Sequence, residues 1–287
     1  MNSTQVSIHA DARAFLAAAG SMLYARETVN NLILGVSERL AHDPTAYENP
    51  LFATVSSDEG EICLAAVMTP PHNLILAGDA LDENCLTTLI SHLKAEPIDI
   101  PGVIAQDQMA ERFTKVWTQQ TGDTCELSMR MRVYELRQVR GIDPPRGHFQ
   151  KANPLDIPTI AKWVQAFEAE ALGEMHEINV PRAERLVDGG QIFTWVVDGQ
   201  VVSMAMKTRP IAHAITVGEV YTPPEHRRQG YAGALVANLS QYLLDEGYQF
   251  VNLFTDLNNP TSNKIYQAVG YHPICDFLTY RINQAVR

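Results

Sequence analysis

The chain has 287 residues, 46% of them apolar and 19% charged, with a formal net charge of -11. That length suits one large domain or two of ordinary size, and the apolar content supports a proper core rather than a disordered chain. The acidic balance disfavours a general nucleic-acid binder and favours cationic partners.

No apolar run approaches the length of a membrane span, so no membrane partner is expected. Met1-Asn2-Ser3-Thr4-Gln5 lacks the basic start of a secretory signal, which makes a soluble cytoplasmic protein the expectation. Cys63, Cys85, Cys125 and Cys275 are widely spread with no CxxC pair, and the nine histidines form no HxxxH cluster. Buried reduced thiols and no metal site are therefore expected.

In chain order, Ala10–Leu23 and Thr28–Leu40 read as helices, the second with Val29, Leu32, Ile33, Val36 and Leu40 on one face. Phe52–Ser56, Ile62–Met68 and Leu74–Ala77 read as strands of a meander, separated by Ser57-Asp58-Glu59-Gly60 and Pro70-Pro71. A helix over Glu83–Leu93, a short buried strand over Gly102–Ala105 and a helix over Gln108–Gln120 follow. Glu126–Leu136 alternates in the manner of an edge strand; Arg130 and Arg132 on its solvated face carry no nucleic-acid reading. Arg137–Arg146, with Gly141 and Pro144-Pro145, is the linker, which divides the chain into 1–143 and 144–287.

In the second half Gly147–Ala152 reads as a strand. Asp156 is the candidate N-cap of a helix over Thr159–Ala171, and Pro158 sits in its first turn. Glu168, Glu170, Glu174, Glu177 and His176 lie on or after that helix, as an ammonium-attracting cluster or as a solvated acidic face. A second helix covers Pro181–Gly189. Gln191–Val197 and Gln200–Met206 flank Asp198-Gly199, a strong hairpin signal. His213–Thr222 is the next strand, placed centrally, and Phe250–Thr255 a later buried one. The order of elements in the two halves is similar, which suggests a structural repeat.

The central stretch is Val217–Leu235. A β-branched run stops at Pro223-Pro224, then Glu225-His226-Arg227-Arg228-Gln229 leads through Gly230 and Gly233 into an apolar helical pattern. A glycine-containing turn feeding a helix start exposes unpaired backbone N–H groups at the positive end of the helix dipole, which makes an anion site. An ordinary strand–turn–helix connection is the alternative. The glycines match neither the dinucleotide triad nor the Gly-Lys-Ser/Thr phosphate loop.

Arg227-Arg228-Gln229-Gly230-Tyr231-Ala232 resembles the pyrophosphate-binding signature of the GNAT superfamily of acyl-CoA-dependent N-acyltransferases: Arg or Gln, two residues, Gly, one residue, Gly or Ala. Asn258-Asn259-Pro260-Thr261-Ser262-Asn263-Lys264-Ile265-Tyr266 resembles the family's second cofactor-contacting segment, and Gly270-Tyr271 follows as in the family. The resemblance covers the last half of the chain. It implies an α/β fold of two tandem GNAT-like domains, each a mixed, mostly antiparallel sheet flanked by helices. The first domain would be degenerate, because Gly78-Asp79-Ala80-Leu81-Asp82-Glu83 places carboxylates where a pyrophosphate would sit.

The resemblance also implies acetyl-CoA, or another acyl-CoA, as co-substrate. The pantetheine arm would run along Val220, Tyr221 and Thr222. The pyrophosphate would take N–H donors from Arg228, Gln229, Gly230, Tyr231, Ala232 and Gly233, with side-chain help from Arg227 or Arg228. Asn263 would contribute an amide, and Asn258 either a cofactor contact or a turn cap. Tyr266 is the candidate general acid for the leaving thiolate, against a packing role between helix and sheet. Glu219 is the candidate general base, or a carboxylate paired with an arginine. The implied reaction is direct attack by a primary amine, of a small molecule or a protein, in a ternary complex. A non-catalytic CoA-binding or interaction scaffold is the alternative.

Overall fold

The computed structural model describes residues 4–78, 83–173 and 176–284. The chain forms two compact units, residues 1–133 with 274–287, and residues 134–273. The linear division expected at 143/144 thus differs from the observed units at both ends of the second one. The expected linker, Arg137–Arg146, is irregular but lies inside the second unit rather than between the two.

The first unit contains β1 (Gln5–Ile8), α1 (Ala12–Tyr24), α2 (Asn31–His42), β2 (Leu51–Ser56), β3 (Ile62–Met68), β4 (Leu74–Gly78), α3 (Glu83–Ala95), β5 (Gly102–Gln106), α4 (Asp107–Thr121) and most of β6 (Thr124–Leu136). Asp11 starts α1 by accepting from the Ala14 N–H at 2.9 Å, so one orphan donor of the first turn is satisfied. Phe15, Ala19 and Leu23 then bury one helical face. Leu89 and Leu93 of α3 and Phe113 of α4 pack with β-strand residues Leu64, Leu76 and Val103 in the unit's main core. Truncating fully buried Phe113 to Ala would cost roughly 3–5 kcal/mol.

The second unit contains the end of β6, then β7 (His148–Lys151), α5 (Ile157–Phe167), α6 (Val180–Asp188), β8 (Ile192–Val197), β9 (Gln200–Thr208), β10 (Ala214–Tyr221), α7 (Tyr231–Asp245), β11 (Phe250–Asp256), α8 (Pro260–Val269) and the start of β12 (His272–Asn283). Its strand order is β6-β11-β10-β9-β8-β7; that of the first unit is β1-β2-β3-β4-β5-β12-β6. Strands β6 and β12 each contribute residues to both units, so the chain does not sort into the two self-contained sheets expected.

β6 itself is a correction. Its alternation of exposed and half-buried residues matches the sequence reading, but it lies between β12 and β11 and is no edge. Period-2 alternation reports a sheet with one solvated face, which an interior antiparallel strand also has. The last strand departs from expectation too: from Ile274 onward it belongs to the first unit, where Leu278 and Ile282 join the core. Cys63 on β3 and Cys85 on α3 form a disulfide, which corrects the expectation of four reduced thiols; Cys125 and Cys275 are free.

In the second unit, alternation along each strand sends residues to two helical layers. Leu235, Leu239 and Leu243 of α7 pack on Ile215, Val217, Val251 and Leu253. Ile160 and Val164 of α5 and Ala183 and Val187 of α6 pack with Ile192, Met204 and Met206. The Asp198-Gly199 hairpin forms as expected, with both residues at positive φ, 50° and 79°. Asp156 does not cap α5. Asn153 caps the short turn that precedes it, and Asp156 reaches back to the Asn153 N–H at 2.9 Å. A Ser/Thr/Asn-x-x-acid spacing allows this reciprocal box, and it wins because it satisfies two donors.

Candidate active site

The site is built where two neighbouring strands part. β10 and β11 run parallel and are paired from Ala214–Phe250 to Thr216–Asn252. Beyond those residues β10 continues to Tyr221 and β11 to Asp256 without a recorded partner on the other. On its opposite edge β10 pairs with β9, but three steps from Gly218 to Tyr221 match two steps from Met206 to Met204. The extra residue is a β-bulge. It places Glu219 at φ 46°, a left-handed conformation that a glutamate rarely adopts. Such local strain persists when the surrounding structure holds it, and it gathers at functional sites.

Glu219 is largely buried, and its partners come from two other elements. Arg182, in the first turn of α6, donates from Nη2 to Glu219 Oε1 at 2.7 Å and from Nη1 to Glu168 Oε1. Glu168 opens a π-helical turn, Glu168–Leu172, that extends α5. Its other oxygen, Oε2, accepts from His176 Nδ1 at 3.2 Å. Burial raises the Glu219 carboxyl above its ordinary range, against the pull of the Arg182 guanidinium. Among the described residues its Oε2 is buried and has no hydrogen-bond partner.

The same π turn carries Glu170, which accepts from the Tyr221 hydroxyl at 3.1 Å and from Arg227 Nη2 at 2.7 Å. Arg227 also donates to the Thr222 carbonyl at 2.8 Å. Thr222 in turn shares a 2.8 Å hydroxyl contact with Ser203, and Tyr221 is buried against Trp163. Val220 lies on the bulged segment beside Glu219. Glu174 lies outside the described residues, and Glu177 is exposed.

The α7 start has the features of an anion site. Arg228 and Gly230 are left-handed, with φ of 61° and 82°, after extended backbone at Arg227 and with Gln229 between them at negative φ. α6 and α8 are capped by Asn179 and Asn259, whereas α7 has no side-chain cap. Among the described hydrogen bonds, the N–H groups of Arg228, Gln229, Gly230, Tyr231, Ala232 and Gly233 reach no backbone acceptor; the first to do so is Ala234, to Gly230 at 3.0 Å. Unpaired N–H groups at a helix N-terminus are what an anion site is made of. At Gly233 a Cβ would meet nothing nearer than 3.7 Å, so packing within the fold does not require that glycine. Gln229 caps no helix; its amide oxygen accepts from the Tyr231 hydroxyl at 2.9 Å.

The α8 candidates are more committed than their sequence positions suggest. Asn263 donates from Nδ2 to the carbonyls of Asp256 and Asn259 at 3.0 and 2.8 Å, and its Oδ1 accepts from the Tyr134 hydroxyl at 2.9 Å. Asn258 is exposed, and its backbone N–H donates to Asp256 at 2.8 Å in the turn before α8. Tyr266 is buried between the Tyr134 and Tyr271 rings, with centroids 6.4 and 6.1 Å away. Burial pushes its phenol up to about 12. Cys275 is also raised to about 12 by burial, which leaves its thiol protonated at neutral pH and unsuited to nucleophilic attack.

Sequence reasoning missed Arg182, Glu168 as its second partner, and the bulge. A charged residue 37 positions from its partner leaves no local signal, and positive φ at a glutamate is not encoded in residue type. Among the described residues no cluster of His, Cys, Asp or Glu is arranged to hold a metal ion. No described helix is long and apolar enough to cross a membrane.

Residues 158–271 match the Acetyltransferase (GNAT) family. Solved structures resemble the chain over nearly its whole length. A GCN5-related N-acetyltransferase from Sphaerobacter thermophilus aligns at TM-score 0.62 and 16% identity, covering 97% of this chain and 95% of its own. A Drosophila protein aligns at TM-score 0.69 and 12% identity, covering 98% and 99%. A tandem GNAT protein from the clavulanic acid biosynthesis pathway aligns at TM-score 0.56 and 12% identity, covering 99% and 100%. The chain has the GNAT acetyltransferase fold.

Proposed function

We propose that this chain, with its GNAT fold, is an acyl-CoA-dependent N-acyltransferase that moves an acetyl group from acetyl-CoA to a primary amine. One observation carries the reading: the uncapped, donor-rich start of α7 lies directly after the strand whose bulge carries Glu219. An anion cradle and a buried carboxylate are thus joined by fewer than a dozen residues of one chain segment. When bound, acetyl-CoA supplies the thioester carbonyl that a neutral amine attacks.

The residues present fit that ligand. The N–H groups from Arg228 to Gly233 would hold the pyrophosphate, and the segment Val220–Thr222 would line the arm. Glu219 would take a proton from the amine through Oε2, the carboxylate oxygen that Arg182 does not engage. Tyr266 would keep its proton until negative charge develops on the departing sulfur, because its hydroxyl is held protonated by burial. Asn263 would act by fixing Tyr134 and the α8 start rather than by offering a free amide.

The active region on this reading lies within 144–287, in the part that belongs to the second unit, and the stretch 1–143 is a degenerate GNAT-like domain. Glu83 in the first turn of α3 supports that assignment, since a carboxylate there competes for the donors an anion would need. Residues 79–82, on which most of the acidic loop falls, lie outside the described residues.

A second reading, a CoA-binding protein without transfer, draws on the burial of Tyr266 and the committed amide of Asn263. One experiment separates them: incubation with acetyl-CoA and a panel of primary amines, with mass spectrometry of the amines and a thiol assay for released CoA. Acetylated amine with matching thiol release supports transfer. Tight acetyl-CoA binding with neither product across small amines and peptide amino termini favours the binder.

A further inference from the structure

The buried carboxylate of Glu219 does not face the site alone. Three charged groups from three elements surround it: Arg182 from the first turn of α6, Glu168 from the π turn, and Arg209 just after β9. His176, on the segment after the π turn, reaches Glu168 rather than Glu219. Arg182 touches both carboxylates, at 2.7 Å to Glu219 and in a close ion pair to Glu168.

The placement of Arg182 is costly for its own helix. It occupies the third position of α6, where the helix dipole disfavours a cation. Its backbone N–H is nonetheless used, donating to the capping Asn179 at 2.9 Å, so the residue is locked at its main chain while its guanidinium spans two carboxylates. A guanidinium's planar fork suits that bridging geometry better than an ammonium. The result divides the Glu219 carboxylate: Oε1 is held, while Oε2 is buried and unpartnered. A buried acceptor without a partner is costly unless something else comes to fill it, and an amine N–H or a water carrying its proton would do so.

We infer that Arg182 is a positioning residue for Glu219, fixing one carboxylate oxygen so that the other is presented ionised to the acceptor amine, with Glu168 as the counterweight that shares the guanidinium. The inference rests on the reading of Glu219 as the base. It assigns opposite effects to the two partners. Without Arg182, burial acts on Glu219 with less opposition, and the carboxyl holds its proton to higher pH. Without the Glu168 charge, a repulsive neighbour is lost and the guanidinium is released to Glu219 alone, so the carboxyl ionises at lower pH. A residue that merely packed α6 against the sheet would not move the two titrations in opposite directions.

The test follows Glu219 directly, by carbon-13 NMR of the full chain labelled at glutamate side chains, with the resonance assigned through Glu219→Gln. In Arg182→Met the Glu219 midpoint rises by about one pH unit or more, and in Arg182→Lys it returns part of the way. In Glu168→Gln it falls. The pH profile of acetyl transfer follows, its acidic limb moving with the carboxyl while acetyl-CoA affinity measured by calorimetry stays within about threefold. A Glu219 midpoint that stays in place in Arg182→Met, or moves the same way in Arg182→Met and Glu168→Gln, overturns the inference. If Arg182→Met does not fold, Arg182→Lys and Glu168→Gln carry the same comparison. Failure of the wild type to bind acetyl-CoA on the same preparation overturns the acyltransferase reading instead, and is read from calorimetry alone.

Discussion

The guanidinium of Arg227 pairs with the carboxylate of Glu170, Nη2 to Oε2 at 2.7 Å, and donates through Nε to the Thr222 carbonyl. The first residue of the stretch that resembles a pyrophosphate signature is thus tied to the π turn, whose Glu170 also accepts from the Tyr221 hydroxyl. Both side chains are nearly half exposed, so the pair contributes less than about 1 kcal/mol to stability. Arg228 makes no ion pair among the described residues and remains available to an anion.

This relationship orders the two arginines. Arg228→Ala is expected to weaken acetyl-CoA binding more than Arg227→Ala, and to reduce its salt dependence more. Titration calorimetry at two ionic strengths measures both. The reverse order would mean that Arg227 leaves Glu170 when the ligand arrives.

Tyr266 gives a second prediction. Its phenol is raised to about 12 by burial, so the protonated form needed for an acid persists throughout the usual assay range. Loss of activity at alkaline pH below about 11 is therefore not expected from this residue, and Tyr266→Phe should leave the shape of the profile unchanged while lowering kcat about a hundredfold. An unchanged kcat in a folded Tyr266→Phe would assign the proton to another donor.

The Glu219 carboxyl also links pH to stability. Its folded value is raised above the unfolded one, so the folded state binds the proton more tightly. Stability associated with the protonated form is present below the unfolded value and is lost as pH rises through the raised folded value. Wild type should therefore lose melting temperature relative to Glu219→Gln on going from about pH 4 to neutrality. Thermal melts of both proteins across that window check the sign. A wild type that gains on Glu219→Gln with rising pH would mean that Arg182 outweighs burial.

The disulfide makes a prediction of a different kind. Cys63 and Cys85 are 22 residues apart, and closing such a loop stabilises the fold by roughly 3 kcal/mol in the chain-entropy account. Denatured, unreduced protein should show two reactive thiols, from Cys125 and Cys275, and four after reduction, with a lower melting temperature. Four thiols without reductant would contradict the bond.

Much of this architecture is legible in residue patterns. The strand boundaries of β3 and the hairpin at Asp198-Gly199 follow from periodicity and turn chemistry, because both are set by neighbours in sequence. What escaped is set across sequence distance. Nothing near Cys63 names Cys85, and nothing near Glu219 names Arg182. The path of β12 into the first unit and the interior place of β6 depend on which strands meet, which alternation along one strand does not contain. Tyr266 and Asn263 come from the resemblance of their segment to the family's, yet their burial and existing bonds appear only with the fold.

The central claim is that the start of α7 binds the pyrophosphate of an acyl-CoA, and Gly233→Asp tests it most directly. An aspartate in the first turn suits the helix dipole and has room, since the nearest atom to its Cβ is 3.7 Å away, so the fold should hold or gain. The same carboxylate would occupy the donors and repel the ligand. Calorimetric titration of acetyl-CoA is expected to show binding to wild type and a loss of about a hundredfold or more in Gly233→Asp, with an undiminished melting temperature. Equal binding by the two proteins, or none by folded wild type, would contradict the account.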